Sequence, residues 1–91
     1  MWRFRFSLEA EADFARLERI MQKRVAKKLL YFEAHFEETV PFPLGGAWNG
    51  FFKLRVGDWR IVYGVHNANE LITVYVIDHR SQIYRRTPPR L

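Results

Sequence analysis

The sequence predicts an α+β domain: an N-terminal strand, a helical hairpin, then a three-stranded antiparallel meander, with the helices packed on one face of the sheet. Three observations carry this. Aromatic residues alternate with arginines over residues 2–6, apolar residues then recur at steps of three and four as far as Phe36, and three β-rich runs joined by turn sequences follow a Pro/Gly loop.

Trp2, Phe4 and Phe6 alternate with Arg3 and Arg5, the period of a strand with one buried face. Ser7 is placed to cap a helix whose first turns carry Glu9, Glu11 and Asp13, where the helix dipole favours negative charge. The stripe that follows is Ala10, Phe14, Leu17, Met21, Val25, Leu29, Phe32 and Phe36, with no Gly or Pro within it. As one helix it would extend roughly 40 Å at about 1.5 Å per residue, too long for a compact domain of this size. A break is therefore expected at residues 19–23, giving a hairpin with Lys23, Arg24, Lys27 and Lys28 on its solvated side. Pro41, Pro43, Gly45 and Gly46 end the helical region. Strands are expected at 50–56, 59–66 and 71–78, joined by Gly57-Asp58 and by residues 67–70.

With Gly57 and Asp58 as a two-residue loop, Val56 faces Trp59, Arg55 faces Arg60, Leu54 faces Ile61 and Lys53 faces Val62. Alternation then puts Phe52, Leu54, Val56, Ile61, Tyr63 and Val65 on the core face, and Lys53, Arg55, Arg60 and Gly64 on the other. Carried across the second hairpin, with His66 facing Leu71, the same rule places Ile72, Val74 and Val76 in the core. Thr73, Tyr75 and Ile77 fall beside the cations, and parity sends His79 there too. Arg80 and Tyr84 follow at the strand exit. Arg55 opposite Arg60 destabilises a sheet by a few tenths of a kcal/mol or so unless an anion lies between them. A single exposed cation is an ordinary solvated side chain that also deters edge pairing; the cluster of Lys53, Arg55, Arg60, His79, Arg80 and Tyr84 reads as a phosphate site.

The chain of 91 residues is expected to form one domain, 1–91, and its 48% hydrophobic and 16% aromatic content reads as globular. Its net charge of +5 argues for an anionic partner. No cysteine is present, which excludes disulfides and thiolate metal sites. No run is apolar enough for a signal peptide or a membrane span, so a cytoplasmic protein without membrane contact is expected, and no residue cluster asks for a metal or other cofactor. His35 and His66 read as surface residues, Trp48 and Trp59 as packing aromatics, and Glu33, Glu37 and Glu38 as a solvated helix end.

The stretches FFKLRVGDWRIVYGV and LITVYVIDHRSQIYRR resemble the C-terminal half of the RelE/ParE superfamily of toxins from toxin–antitoxin pairs. That pattern is an aromatic, a basic pair around an apolar residue, V-G-D/E-Y/W-R, and later H-R-x-x-V/I-Y. The order of elements matches along essentially the whole chain, although only residues 50–86 carry specific motifs. The resemblance implies a RelE-like microbial RNase fold and one of two activities: RelE-type members cut mRNA in the ribosomal A site, whereas ParE-type members act on DNA gyrase and lack the catalytic set. It implies a cognate antitoxin as partner, with ribosome and mRNA in the first case and gyrase in the alternative. The positions that RelE-like enzymes use are filled here by Lys53, Arg55, Arg60 and Arg80, with Tyr84, and some ribonuclease relatives have a catalytic histidine where His79 stands. Arg80 and Tyr84 lie closer together than in the prototype toxins, and V-G-D-x-R occurs in both branches.

Metal-free RNA cleavage needs a base for the 2′-hydroxyl, cations for the phosphorane and an acid for the departing 5′-oxygen. Arg55 and Arg60 suit the phosphate. Lys53, whose cationic neighbours disfavour an added charge, is the assigned base, and the acid lies between His79 and Arg80. Tyr84 either stacks on a nucleobase or anchors the tail. Lys53, Arg55, Arg60, Tyr75, Arg85 and Arg86 form the expected RNA-binding set. The run from Lys23 to Lys28 reads as a solvent face, with contact to ribosomal RNA as the lesser alternative.

Overall fold

The β-strands and helices alternate in the expected order, with one additional edge strand. The structure is a computed structural model that describes residues 1–90. Its elements are β1 (Arg3–Phe6), α1 (Leu8–Ala15), α2 (Arg19–Ala34), β2 (Phe42–Pro43), β3 (Phe52–Val56), β4 (Trp59–His66) and β5 (Leu71–His79), with short 3-10 turns between and after them. The sheet order is β1-β5-β4-β3-β2. β1 runs parallel to β5, and the remaining pairs are antiparallel. The fold is the α+β class expected, with both helices on one face. The two-residue strand β2, hidden in the Pro/Gly loop, was not foreseen.

Ser7 starts the first helix as its sequence position suggests: its Oγ accepts from Ala10 N at 3.1 Å. The same hydroxyl donates to the Tyr75 carbonyl at 3.0 Å, and Ser7 N donates to the Val74 carbonyl at 2.9 Å. One residue thus both caps α1 and ties it to β5. The helical break lies at residues 16–18, not at 19–23. Leu17 N closes the turn on the Phe14 carbonyl, Glu18 is extended, and the Gln22 side chain donates to the same Phe14 carbonyl at 2.9 Å. Leu17 is buried within the connection, so the apolar stripe continues through the break and conceals it.

The first hairpin keeps the register read from its turn, Arg55 opposite Arg60 and Leu54 opposite Ile61. The second does not keep it throughout. Val62 pairs with Val76 but Tyr63 pairs with Val74, so Tyr75 is an extra residue, a β-bulge. Alternation reverses there. Ile77 therefore packs with Ile61, Val74, Leu29 and Val25 under the helices, while Val76 turns to the far face with Val62. This corrects the assignment of Val76 to the helix-side core and of Ile77 to the cationic face. Gly64 makes the bulge possible: a Cβ on it would lie 2.9 Å from Cε2 of Tyr75, closer than packed carbons tolerate.

The far face is consequently not an open floor. Trp48, Phe51, Val62, Val76 and Ile83 bury one another there, a second small core that closes the tail against the sheet. Burying Ile83 alone is worth about 1.5–3 kcal/mol. Glu33 is no mere solvated helix end, since its Oε2 accepts from Phe4 N at 2.9 Å on the edge strand β1.

Candidate nucleic-acid interface

The cations gather around the β3–β4 turn. Gly57 takes φ 59° at the first loop position, a conformation that suits glycine, and its bare Cα lets Arg24 of α2 approach. A Cβ there would stand 3.0 Å from Arg24 Nη2. Arg60 folds back on the turn, its Nη1 donating to the carbonyls of Gly57 at 2.9 Å and Trp59 at 3.0 Å. Among the described residues its Nη2 and Nε make no protein hydrogen bond, which leaves a fork of donors for a phosphate. Arg55, its cross-strand partner, is exposed and lines a groove of about 480 Å³ with Arg24, Lys27, Lys28 and Tyr31. No carboxylate lines that groove. The helix cations, read from sequence chiefly as a solvent face, thus share a surface with Arg55.

The other expected site residues divide. Lys53 lies along β3 with its Nζ 4.4 Å from the Phe42 ring centroid, a cation–π contact made by the ammonium ion. Arg80 is exposed beside the turn, its Nε 3.6 Å from Asp58 Oδ1 and its backbone N–H on the Asp58 carbonyl at 2.7 Å. Tyr84 is 46% exposed and meets Trp48 edge-on at 6.4 Å between ring centroids. Tyr75, lifted by the bulge, lies over Gly64 and meets Phe51 edge-on at 5.4 Å. Arg85 is exposed.

His79 is not where parity sent it. The bulge turns it to the side of Trp59, its cross-strand partner, whose ring it meets edge-on at 5.6 Å. It sits at the same end of the sheet as Arg55 and Arg60 but on the opposite face. Its Nδ1 accepts from Ser81 N at 3.2 Å and lies 2.8 Å from Ser81 Oγ. A ring nitrogen that accepts from a backbone N–H carries no proton, so the neutral ring is protonated at Nε2.

Arg86 is placed in a different setting altogether. Its Nη1 donates to Asp13 Oδ2 at 2.9 Å and Asp78 Oδ2 at 3.2 Å, and its Nη2 pairs with Glu9. Burial works against its charge, but the hydrogen bonds from Glu9, Asp13 and Asp78 and the charge of Asp13 outweigh this and hold the guanidinium above the usual arginine range. Asp13, buried in α1, also accepts from Ile77 N at 2.9 Å, closing the edge of β5 that β1 leaves uncovered. The sequence did carry a signal for this cage: Asp13 stands three residues after Ala10, on the apolar stripe, where a solvated carboxylate has no place.

The family model described as ParE toxin of type II toxin-antitoxin system, parDE, matches residues 4–84. No curated protein matches the sequence closely enough to count as a relative. Solved structures share the fold. The toxin–antitoxin complex RelBE2 from Mycobacterium tuberculosis aligns at 22% identity and TM-score 0.77, covering 87% of this chain and 98% of that one. The isolated E. coli RelE toxin aligns at 18% identity and TM-score 0.72, covering 93% of each. A YoeB/ParE toxin from Agrobacterium tumefaciens aligns at 18% and TM-score 0.68, covering 85% of this chain and 96% of that one. With the sheet, the paired helices and the family model in agreement over nearly its whole length, the chain belongs to the ParE toxin family of type II toxin–antitoxin systems, within the RelE/ParE superfamily.

Proposed function

We propose that this toxin is a metal-independent endoribonuclease that cuts mRNA on the ribosome. The observation that carries the reading is the cross-strand pair Arg55 and Arg60, set at an open turn and backed by Arg24, Lys27 and Lys28 on a groove without carboxylates. Such a surface gains most from a polyanion, because each phosphate relieves repulsion that the fold leaves unanswered. Arg55 and Arg60 would hold the scissile phosphate and the charge that builds on it. Lys53 remains the base, leaving the Phe42 ring when substrate binds. His79 takes the acid role in preference to Arg80, since guanidinium does not give up its proton and His79 Nε2 is the ring nitrogen turned to donation. Tyr84, half exposed on its Trp48 support, is the stacking surface for a base. Arg86 is left out of the RNA set because three carboxylates already engage it.

A second reading has its own support. The matching family model is the ParE one, and His79 lies across the sheet from the arginines, which fits a gyrase-directed toxin without a catalytic set. Inducible expression followed by mapping of mRNA 5′ ends separates the two. The nuclease reading predicts new ends within translated messages, at A-site positions, and unchanged supercoiling by purified gyrase. Intact messages together with inhibited supercoiling would replace it with the gyrase reading. Intact messages, unaffected gyrase and normal growth would leave a chain that only binds an antitoxin.

A further inference from the structure

β2 stops short of covering β3. Phe42 pairs with Lys53 and Pro43 with Phe52, and Leu44 N donates to the Phe51 carbonyl at 2.9 Å. Alternate residues of an antiparallel strand bond to opposite neighbours, so residues 51, 53 and 55 turn their backbone groups outward while Phe52, Leu54 and Val56 bond to β4. Continuing the register, Arg55 would meet Val40. No pairing is made there, and Val40 is 91% exposed. The N–H and C=O of Arg55 therefore face a gap at the edge of the sheet.

That gap opens onto two adjoining grooves between α2 and β3, of about 460 and 480 Å³, which share Lys28 and Arg55 in their walls. The first has an apolar floor of Phe32, Leu54 and Tyr63 with Val40 and Phe42 at its lip. The second is walled by Arg24, Lys27 and Tyr31. Neither contains Asp or Glu. A strand edge, an apolar floor and a rim of five cations ask for one kind of occupant.

We propose that the α2–β3 groove takes up an extended acidic polypeptide segment from a protein partner, paired to β3 at Arg55. Its apolar side chains lie toward Phe32, Leu54 and Tyr63, and its carboxylates meet Lys28, Lys53 and Arg24. This is recognition by strand addition: the backbone supplies register, and the alternate side chains supply specificity. RNA would answer the cations but has no use for an unpaired strand edge in register, nor for Val40 at 91% and Phe42 at 60% exposure. Because Arg55 and Lys53 belong to both surfaces, an occupied groove blocks the RNA site. The inference takes only the existence of a protein partner from the family and does not depend on the chain being a nuclease.

The test is a titration of the purified chain against a fluorescein-labelled peptide alternating glutamate with valine or leucine, read by fluorescence anisotropy, with no cleavage step. Saturable binding is expected, weakened about tenfold or more by Lys28→Glu and, separately, by N-methylation of the peptide's central backbone nitrogens. Lys28 is exposed, so its variant should unfold at the wild-type midpoint, and Lys27→Glu serves as an independent check. Absence of saturable binding overturns the proposal. So does equal affinity for the N-methylated peptide, which would reduce the effect to charge. An oligouridylate that binds while the peptide does not, with the same loss on Lys28→Glu, would assign the groove to RNA.

Discussion

At the tail, Arg86 is held by Glu9, Asp13 and Asp78; at the β3–β4 turn, Arg24, Lys27, Lys28, Arg55 and Arg60 have among them no carboxylate closer than the Asp58 that Arg80 engages. The two regions carry the same chemistry and use it oppositely. In the first the charges neutralise one another across α1, β5 and the tail, so the arginine serves as a fastener. In the second backbone carbonyls hold Arg60 in place without cancelling its charge. A cation's partners, more than its identity, decide whether it belongs to the fold or to a ligand.

The sharpest way to break this contrast is Asp13→Ala. Removing the carboxylate strands a mostly buried guanidinium and frees Ile77 N–H, so we expect a loss of about 3–5 kcal/mol in denaturant unfolding at neutral pH. A loss below about 1 kcal/mol would mean that Arg86 is no fastener. Gly64→Ala should come next. Its methyl meets Tyr75 at contact distance, and we expect about 1–3 kcal/mol of destabilisation, relieved in the double variant with Tyr75→Ala. Equal losses with and without Tyr75 would show that the ring does not set the bulge.

Alkaline unfolding sharpens the contrast further. Arg86 has its pKa raised in the fold, so its contribution is complete below the unfolded arginine value and persists through ordinary buffers. Tyr63 is different. Burial raises its phenol above the usual tyrosine value, so the folded chain keeps its proton where the unfolded chain begins to lose it. Stability should be flat up to about pH 10 and then fall by up to about 1.4 kcal/mol per pH unit. Tyr63→Phe should remove that slope; an unchanged slope would place the titrating group elsewhere.

The sequence was legible wherever the rule was local. Gly57-Asp58 sets the first hairpin, and every pairing read from it, Val56 with Trp59 through Lys53 with Val62, is present. His66 opposite Leu71 holds as well. What failed depends on distant packing. A bulge at Tyr75 leaves alternation intact on both sides and shows only in the glycine across from it, so parity counted through it sent Ile77 and His79 to the wrong face. Leu17 masks the helical break because it is buried in the connection as it would be in a helix. The cage around Arg86 joins residues 9, 13, 78 and 86, and no spacing rule links those positions. Lys53, Arg55 and Arg60 were legible because they flank a turn.

The central claim is tested most directly by Arg60→Ala, with thermal unfolding and cleavage of a translated mRNA measured on the same preparation. The account predicts a stability change of no more than about 1 kcal/mol, since only two hydrogen bonds to turn carbonyls are lost. It predicts a fall in cleavage on the order of 100-fold, the cost of removing a preorganised donor from a developing anion. Wild-type cleavage by the folded variant would contradict it.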